Sequence, residues 1–171
     1  SIYGKSKLLS SKYLLEISKK NKFPIVIFRL FQAYGPKQDI NRIIPIAIDG
    51  CVKNKKFECS SGVQLRDFVH IEDVIDAIFL SFDNRLALGN IINIGSGKPK
   101  KIKKVIGSIK SYIKKGFPQF GKLNMRREEI TKNYANIYKA KKLLKWKPKI
   151  SFNKGLITTI NSYIYGQRKQ N

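Results

Sequence analysis

A nearly unbroken run of β-branched and aromatic residues, Pro24-Ile25-Val26-Ile27-Phe28-Arg29-Leu30-Phe31, leaves few folds open to this chain. A strand with one wet face alternates apolar and polar residues, whereas a strand covered on both faces reads as continuous apolar sequence. The run is of the second kind and predicts a strand of a parallel sheet, whose neighbours are reached through helical crossovers. It leads into Tyr34-Gly35-Pro36, a turn signal. Phe31 to Tyr34 therefore fall at a carboxyl end of the sheet, where open α/β folds bind ligands.

The crossovers are legible around it. Leu8, Leu9, Tyr13, Leu14 and Ile17 recur at helical intervals over Lys5–Lys20, and the pattern stops near Asn21–Pro24. Ile71, Val74, Ile75, Ile78, Phe79 and Phe82 mark one face of another helix. Further helices are predicted over Ile43–Val52, Ile102–Ile113, Ile137–Leu144 and Asn153–Tyr165, the last two separated by Trp146-Lys147-Pro148. Arg66–Val69 reads as extended, Asn90–Ile94 as a second apolar strand closed by Gly95-Ser96-Gly97, and the stretch up to Gly62 as a polar connection. Strands alternating with helices place the chain in the α/β class, with too few strands for a complete doubly wound sheet.

A chain of 171 residues, 42% apolar, can bury a real core and is a prior for one domain or a large part of one. No apolar stretch reaches the length of a membrane span and no basic-then-apolar leader opens the sequence, so the reading is a cytoplasmic protein without a membrane partner. Cys51 and Cys59 stand in no metal-like spacing and are read as reduced structural thiols, with no metal site. The formal charge of +24 raises nucleic acid as a partner. The lysines lie along most of the chain, with one local cluster from Lys100 to Lys115, which favours a solvated surface over a dedicated nucleic-acid face.

Tyr3 and Lys7 stand four residues apart at the start of the first helix and so share a face. A tyrosine hydroxyl is a poor base at neutral pH, and a nearby ammonium favours the phenolate, which would let Tyr3 act as a general acid/base tuned by Lys7. The pair does not stand alone. Arg29-Leu30-Phe31-Gln32-Ala33-Tyr34-Gly35-Pro36, Arg66-Asp67-Phe68-Val69-His70-Ile71-Glu72-Asp73-Val74, Asn93-Ile94-Gly95-Ser96-Gly97 and Leu144-Lys145-Trp146-Lys147-Pro148 follow it in order. Together these segments resemble the extended short-chain dehydrogenase/reductases, specifically the NAD-dependent epimerase/dehydratase family that acts on nucleotide sugars.

The resemblance implies the C-terminal part of a Rossmann-like parallel sheet with a small mixed substrate-binding lobe, the N-terminal dinucleotide-binding half being absent. Residues 1–36 would end the dinucleotide-binding domain, and 37–171 would form mainly the nucleotide-sugar lobe, with 66–95 contributing back to the sheet. It implies Tyr3 and Lys7 as the catalytic and cofactor-binding pair, NAD or NADP as cofactor, and a nucleotide-diphosphate sugar as substrate. Gln32 would replace the family's substrate-contacting asparagine, and Arg42 would line the nucleotide pocket. Arg66 is the leading diphosphate ligand, since a guanidinium offers phosphate a planar fork of donors; its alternative role is an ion pair with Asp67. Arg126, or its neighbour Arg127, and Glu129 resemble the pair on the far side of the pocket. His70, Trp146 and Phe152 are read as structural, and the full-length enzyme as a homodimer. Leu30-Phe31-Gln32 and Phe120-Gly121-Lys122 favour the branch of 4-keto-6-deoxyhexose reductases and epimerases.

The Gly-rich dinucleotide fingerprint is not in this sequence. The expectation is a partial sequence beginning just before the catalytic tyrosine, binding no NAD(P) alone and inert without its missing half. The competing readings are a basic nucleic-acid-binding module and a non-catalytic interaction protein.

Overall fold

Helix α1 (Ile2–Asn21) ends where Lys22 takes a left-handed backbone, φ 53°, and turns the chain into β1 (Val26–Leu30). The structure is a computed structural model that describes residues 2–125 and 128–168. After β1 come β2 (Gln32–Tyr34), α2 (Ile43–Val52), β3 (Lys56–Cys59), β4 (Leu65–Arg66), β5 (Phe68–His70) and α3 (Ile71–Phe82). A single 3-10 turn at Arg85–Ala87 leads to β6 (Asn90–Ile94), β7 (Lys100–Lys101) and α4 (Ile102–Ile113). Then β8 (Phe117–Phe120), β9 (Lys132–Asn133), α5 (Tyr138–Leu144) and α6 (Phe152–Arg168) complete the order. The class is α/β, as the alternation of patterns requires.

β1 pairs in parallel with β6, from Val26 opposite Asn90 to Leu30 opposite Ile94. The sequence reads one strand up to Phe31; the structure splits it there. The Phe31 amide still donates to Ile94 O at 3.0 Å, but the Gln32 amide donates to Asp67 O at 2.9 Å, and β2 then runs parallel to β5. This change of partner opens the sheet beneath Phe31 and Gln32. Two further small sheets follow, β3 parallel to β8 and the ribbon β7-β4-β9. β3 lies inside the stretch read as a polar connection, because Lys56-Phe57-Glu58-Cys59 is too short and too charged to advertise a strand.

Two cores hold these layers. One gathers Ile44, Ala47, Ile48 and Cys51 of α2 with Ile102, Val105, Ile106 and Ile109 of α4 and Leu156 and Ile160 of α6. The other packs Val74 and Ala77 of α3, Ala140 and Leu144 of α5, and Trp146 against Ile92 and Ile94 of β6. β5 is shared, because alternate residues of a strand face opposite ways: Phe68 enters the first core and Val69 the second. Both cysteines are free and buried, and burial pushes both thiols up, away from the reactive thiolate.

α1 departs from its expected amphipathic role. It buries no side chain, and Leu9 and Tyr13 of its apolar stripe are exposed. β1 has β6 as its one strand neighbour among the described residues, and its Leu30 is 51% exposed rather than covered on both faces. No described helix is long and apolar enough to cross a membrane.

Tyr34 closes β2 in an aromatic cluster with Phe68, His70 and Phe152, and its hydroxyl donates to Phe152 O at 3.1 Å. Burial, and secondarily the Asp73 carboxylate, hold its phenol well above the ordinary range. A raised folded-state value stabilises the fold fully below the unfolded tyrosine value of about 10 and loses that contribution as pH rises toward the folded value. Denaturant melts are expected to weaken above pH 10 with a slope that Tyr34→Phe reduces. An identical alkaline slope in the two proteins would count against this assignment.

Candidate functional site

The segment from Arg66 to Asp73 builds the site's frame, each polar residue answering a different need of the backbone. Asp67 is fully buried, and its carboxylate accepts from the Ser96 amide at 2.7 Å, the Gly97 amide at 2.9 Å and the Ala135 amide at 3.0 Å. It also accepts from the Ser96 hydroxyl. Gly95 makes this approach possible, since a Cβ there would lie 2.7 Å from Asp67 Oδ2 and 2.6 Å from Ala135 Cβ. The Gly95-Ser96-Gly97 turn resembles an anion-binding loop, but the chain's own carboxylate already fills it. His70 is the N-cap of α3, its Nδ1 accepting from the Glu72 amide at 3.4 Å. Asp73 accepts from the Lys149 and Ile150 amides through its carboxylate and from the Trp146 indole through its carbonyl. Trp146, 1% exposed, is thus a packing anchor.

Arg66 does not pair with Asp67. Its Nη2 meets Glu129, and its Nη1 donates to Leu65 O and Ile130 O, each at 2.8 Å. The guanidinium thereby holds the 129–130 segment beside β9, which pairs with β4. Glu129, read from the sequence as a substrate ligand, is the arginine's ion-pair partner here. Arg126 and the neighbouring Arg127 lie outside the described residues.

Two adjoining clefts open at the carboxyl ends of β1 and β2. One, of about 560 Å³, is lined by Tyr3, Leu30, Phe31, Gln32, Tyr34, Lys37, Asp39 and Arg42 among others. The other, of about 570 Å³, shares Tyr3, Leu30, Phe31, Gln32 and Arg42 and adds Arg29, Arg66, Asn93 and Asn133. Tyr3, Gln32, Arg42 and Arg66 therefore line one of these clefts together. Lys7 stands one turn behind, its ammonium over the Tyr3 ring at 5.6 Å from the centroid, so the pair meets through the ring face. Sequence reasoning missed Asn93, whose signal was a polar residue interrupting an apolar strand, and Asn133, which carried none. No described group of three His, Cys, Asp or Glu side chains could hold a metal ion.

A model of the NAD dependent epimerase/dehydratase family matches residues 1–95. The CDP-abequose synthase of Salmonella muenchen is 29% identical over 161 residues, covering 90% of this chain and 55% of that protein. The UDP-glucuronate 4-epimerase of Thermodesulfobacterium geofontis is 35% identical over 141 residues, covering 80% of this chain and 42% of its own length. Among solved structures, the Bacillus cereus UDP-glucuronic acid 4-epimerase in complex with UDP-glucuronic acid and NAD superposes with a TM-score of 0.83 at 28% identity. That match covers 92% of this chain and 51% of the other. The chain thus spans about half the length of the curated relatives it matches. With the family model covering more than half of its residues, the chain belongs to the NAD dependent epimerase/dehydratase family.

Proposed function

We propose that this chain forms the substrate-facing part of an NAD(P)-dependent enzyme that epimerises, dehydrates or reduces a nucleoside-diphosphate sugar, with Tyr3 as the general acid/base. One observation carries the reading: Tyr3 stands where two clefts join, one lined by Gln32 and an apolar wall, the other adding Arg66 and two asparagines. That layout suits a molecule with a sugar at one end and a charged diphosphate in the middle. Tyr3 would move a proton to or from a sugar hydroxyl, Lys7 would hold the phenolate charge, and the Gln32 amide would orient the ring. The relatives' names, a CDP-sugar synthase and a UDP-sugar 4-epimerase, point to the same substrate class.

Tyr3, which lines both clefts, and Lys7, exposed one turn behind it, would face the nicotinamide-ribose end of a dinucleotide. The pyrophosphate finds no cradle in the Gly95–Gly97 turn, whose amides serve Asp67. When bound, NAD(P) supplies the site that accepts and returns hydride. On this reading residues 1–36 belong with the dinucleotide-binding part and 37–171 mainly with the sugar-nucleotide lobe, with 66–95 contributing back to the sheet. The parallel pairing of β5 with β2 and of β6 with β1 supports that return. Within the class we favour a 4-keto-6-deoxyhexose reductase or epimerase, on Leu30-Phe31-Gln32 and Phe120-Gly121-Lys122.

Calorimetric titration of the 171-residue chain with UDP, CDP and dTDP tests the reading. At least one is expected to bind more tightly than inorganic phosphate, whereas NADH is expected to give no micromolar binding. Tighter binding of an oligonucleotide, falling steeply with salt while the nucleoside diphosphates give no heat, would favour a nucleic-acid module instead.

A further inference from the structure

At the C-terminal end of α2, the helix end opposite Arg42 and the clefts, two turns distant in sequence are fastened to each other. The Gly116 amide donates to Asn54 Oδ1 at 3.0 Å and the Phe117 amide to Lys55 O at 3.0 Å, which starts β3 and β8 side by side with Lys56 opposite Phe117. Gly116 allows the close approach, since a Cβ there would lie 2.5 Å from Cys51 Cα. The result is a tip of lysines: Lys53, Lys55 and Lys56 from the first turn, Lys114 and Lys115 from the second, and Lys110 one helical turn earlier. All six are exposed. Lys53 pairs with Asp49 at 2.7 Å, and the other five have no ion-pair partner among the described residues. Asp49 is shared with the Tyr163 hydroxyl, and Glu58, two residues beyond Lys56, is the second carboxylate at this end. The fold also divides the basic run that begins at Lys100. Lys100 and Lys103 lie over the Phe152 and Phe120 rings, whereas Lys110, Lys114 and Lys115 join the tip.

We propose that this tip is a docking surface for an anionic lipid bilayer, with the lysines on its headgroups and Phe117 at its interface. Three features select this polyanion. The lysines stand on turns and line neither cleft described above, an arrangement suited to a broad plane of charge and not to a strand laid in a groove. Neither turn holds an arginine, the side chain that reads base edges and clamps single phosphates with a planar fork. Phe117 is 53% exposed beside these lysines, and an apolar ring bordered by basic groups seats where headgroups meet acyl chains. Adsorption of this kind needs no spanning helix. The ten residues of α2 place the tip about 15 Å from the helix's head, where Arg42 lines the clefts. The surface is therefore separate from the candidate site and does not depend on what that site binds.

The test is cosedimentation of the 171-residue chain with vesicles of phosphatidylcholine alone and of phosphatidylcholine mixed with phosphatidylglycerol. Two quadruple variants each lower the formal charge of +24 by four: Lys55→Gln, Lys56→Gln, Lys110→Gln and Lys115→Gln at the tip, and Lys141→Gln, Lys142→Gln, Lys147→Gln and Lys154→Gln away from it. The unsubstituted chain is expected to bind the anionic vesicles and not the neutral ones. Each lysine at an anionic leaflet contributes a factor of about five, so the tip variant should lose at least about thirtyfold and the second variant less than about threefold. Both should melt with the unsubstituted chain, since the side chains removed are exposed. Phe117→Ser should weaken the binding that survives high salt about threefold, because salt screens the lysines and not the ring. Equal losses in the two quadruple variants would show attraction by bulk charge and overturn the proposal. So would failure of the unsubstituted chain to bind anionic vesicles, or tighter binding of an oligonucleotide that the tip variant alone loses. Unchanged binding by Phe117→Ser at high salt overturns the seating of that ring in the interface.

Discussion

Asp67→Ala is expected to destabilise the fold by about 4 kcal/mol, enough to lower the melting temperature by about 10 °C in a chain of this size. The carboxylate is fully buried and satisfies three backbone amides and one hydroxyl drawn from two separate segments. Removing it leaves those donors facing a cavity, each unmet buried donor costing about 1–3 kcal/mol and some recovering part of that from water. Asp67→Asn keeps one acceptor but turns an NH2 group toward an amide donor, so it should fall between the two. Equilibrium urea unfolding of the three proteins checks the order, and a loss below about 1 kcal/mol in Asp67→Ala would sink the account. Because Asp67 follows Arg66 directly and ties down Ala135, the same substitution should also loosen the arginine's wall of the cleft.

Tyr3→Phe should be the most damaging change to activity and among the least damaging to stability. In a polypeptide that joins this chain to a dinucleotide-binding half, kcat for the nucleotide sugar is expected to fall about 10²- to 10⁴-fold, the usual span of general acid/base catalysis. The side chain is 71% exposed, and its hydroxyl makes no hydrogen bond with the described residues, so the melt should hardly move. Affinity of the chain for UDP should stay within about twofold, since the lost group is reserved for a proton transfer. Steady-state kinetics beside calorimetry separate the two effects. A variant that retains more than about a tenth of kcat would remove Tyr3 from the chemistry.

Much of this was legible in the residues because the responsible forces are local. The helices at Ile43–Val52 and Ile102–Ile113 and the strand at Asn90–Ile94 start and stop where their apolar periods do. Tyr3, Gln32 and Arg42 could be placed at one cleft because a carboxyl strand end and two helix starts converge there. What could not be read was set by contacts distant in sequence. Nothing near Arg66 announces that Glu129 will neutralise it, and nothing near Gly95 shows that Asp67 will occupy its turn. The break at Phe31 was hidden for a related reason. Its side chains look like one strand, and the exchange of β6 for β5 happens in the backbone hydrogen bonds.

The short strand β5 carries a consequence of another kind. With Phe68 in one core and Val69 in the next, its three residues act as a mechanical shaft between two packed bodies. Amide exchange in α4 and in α5 should then report one shared opening event, and truncations at Phe68 and Val69 should be non-additive although the two side chains point apart. Substitutions in either core are therefore expected to be felt in the other.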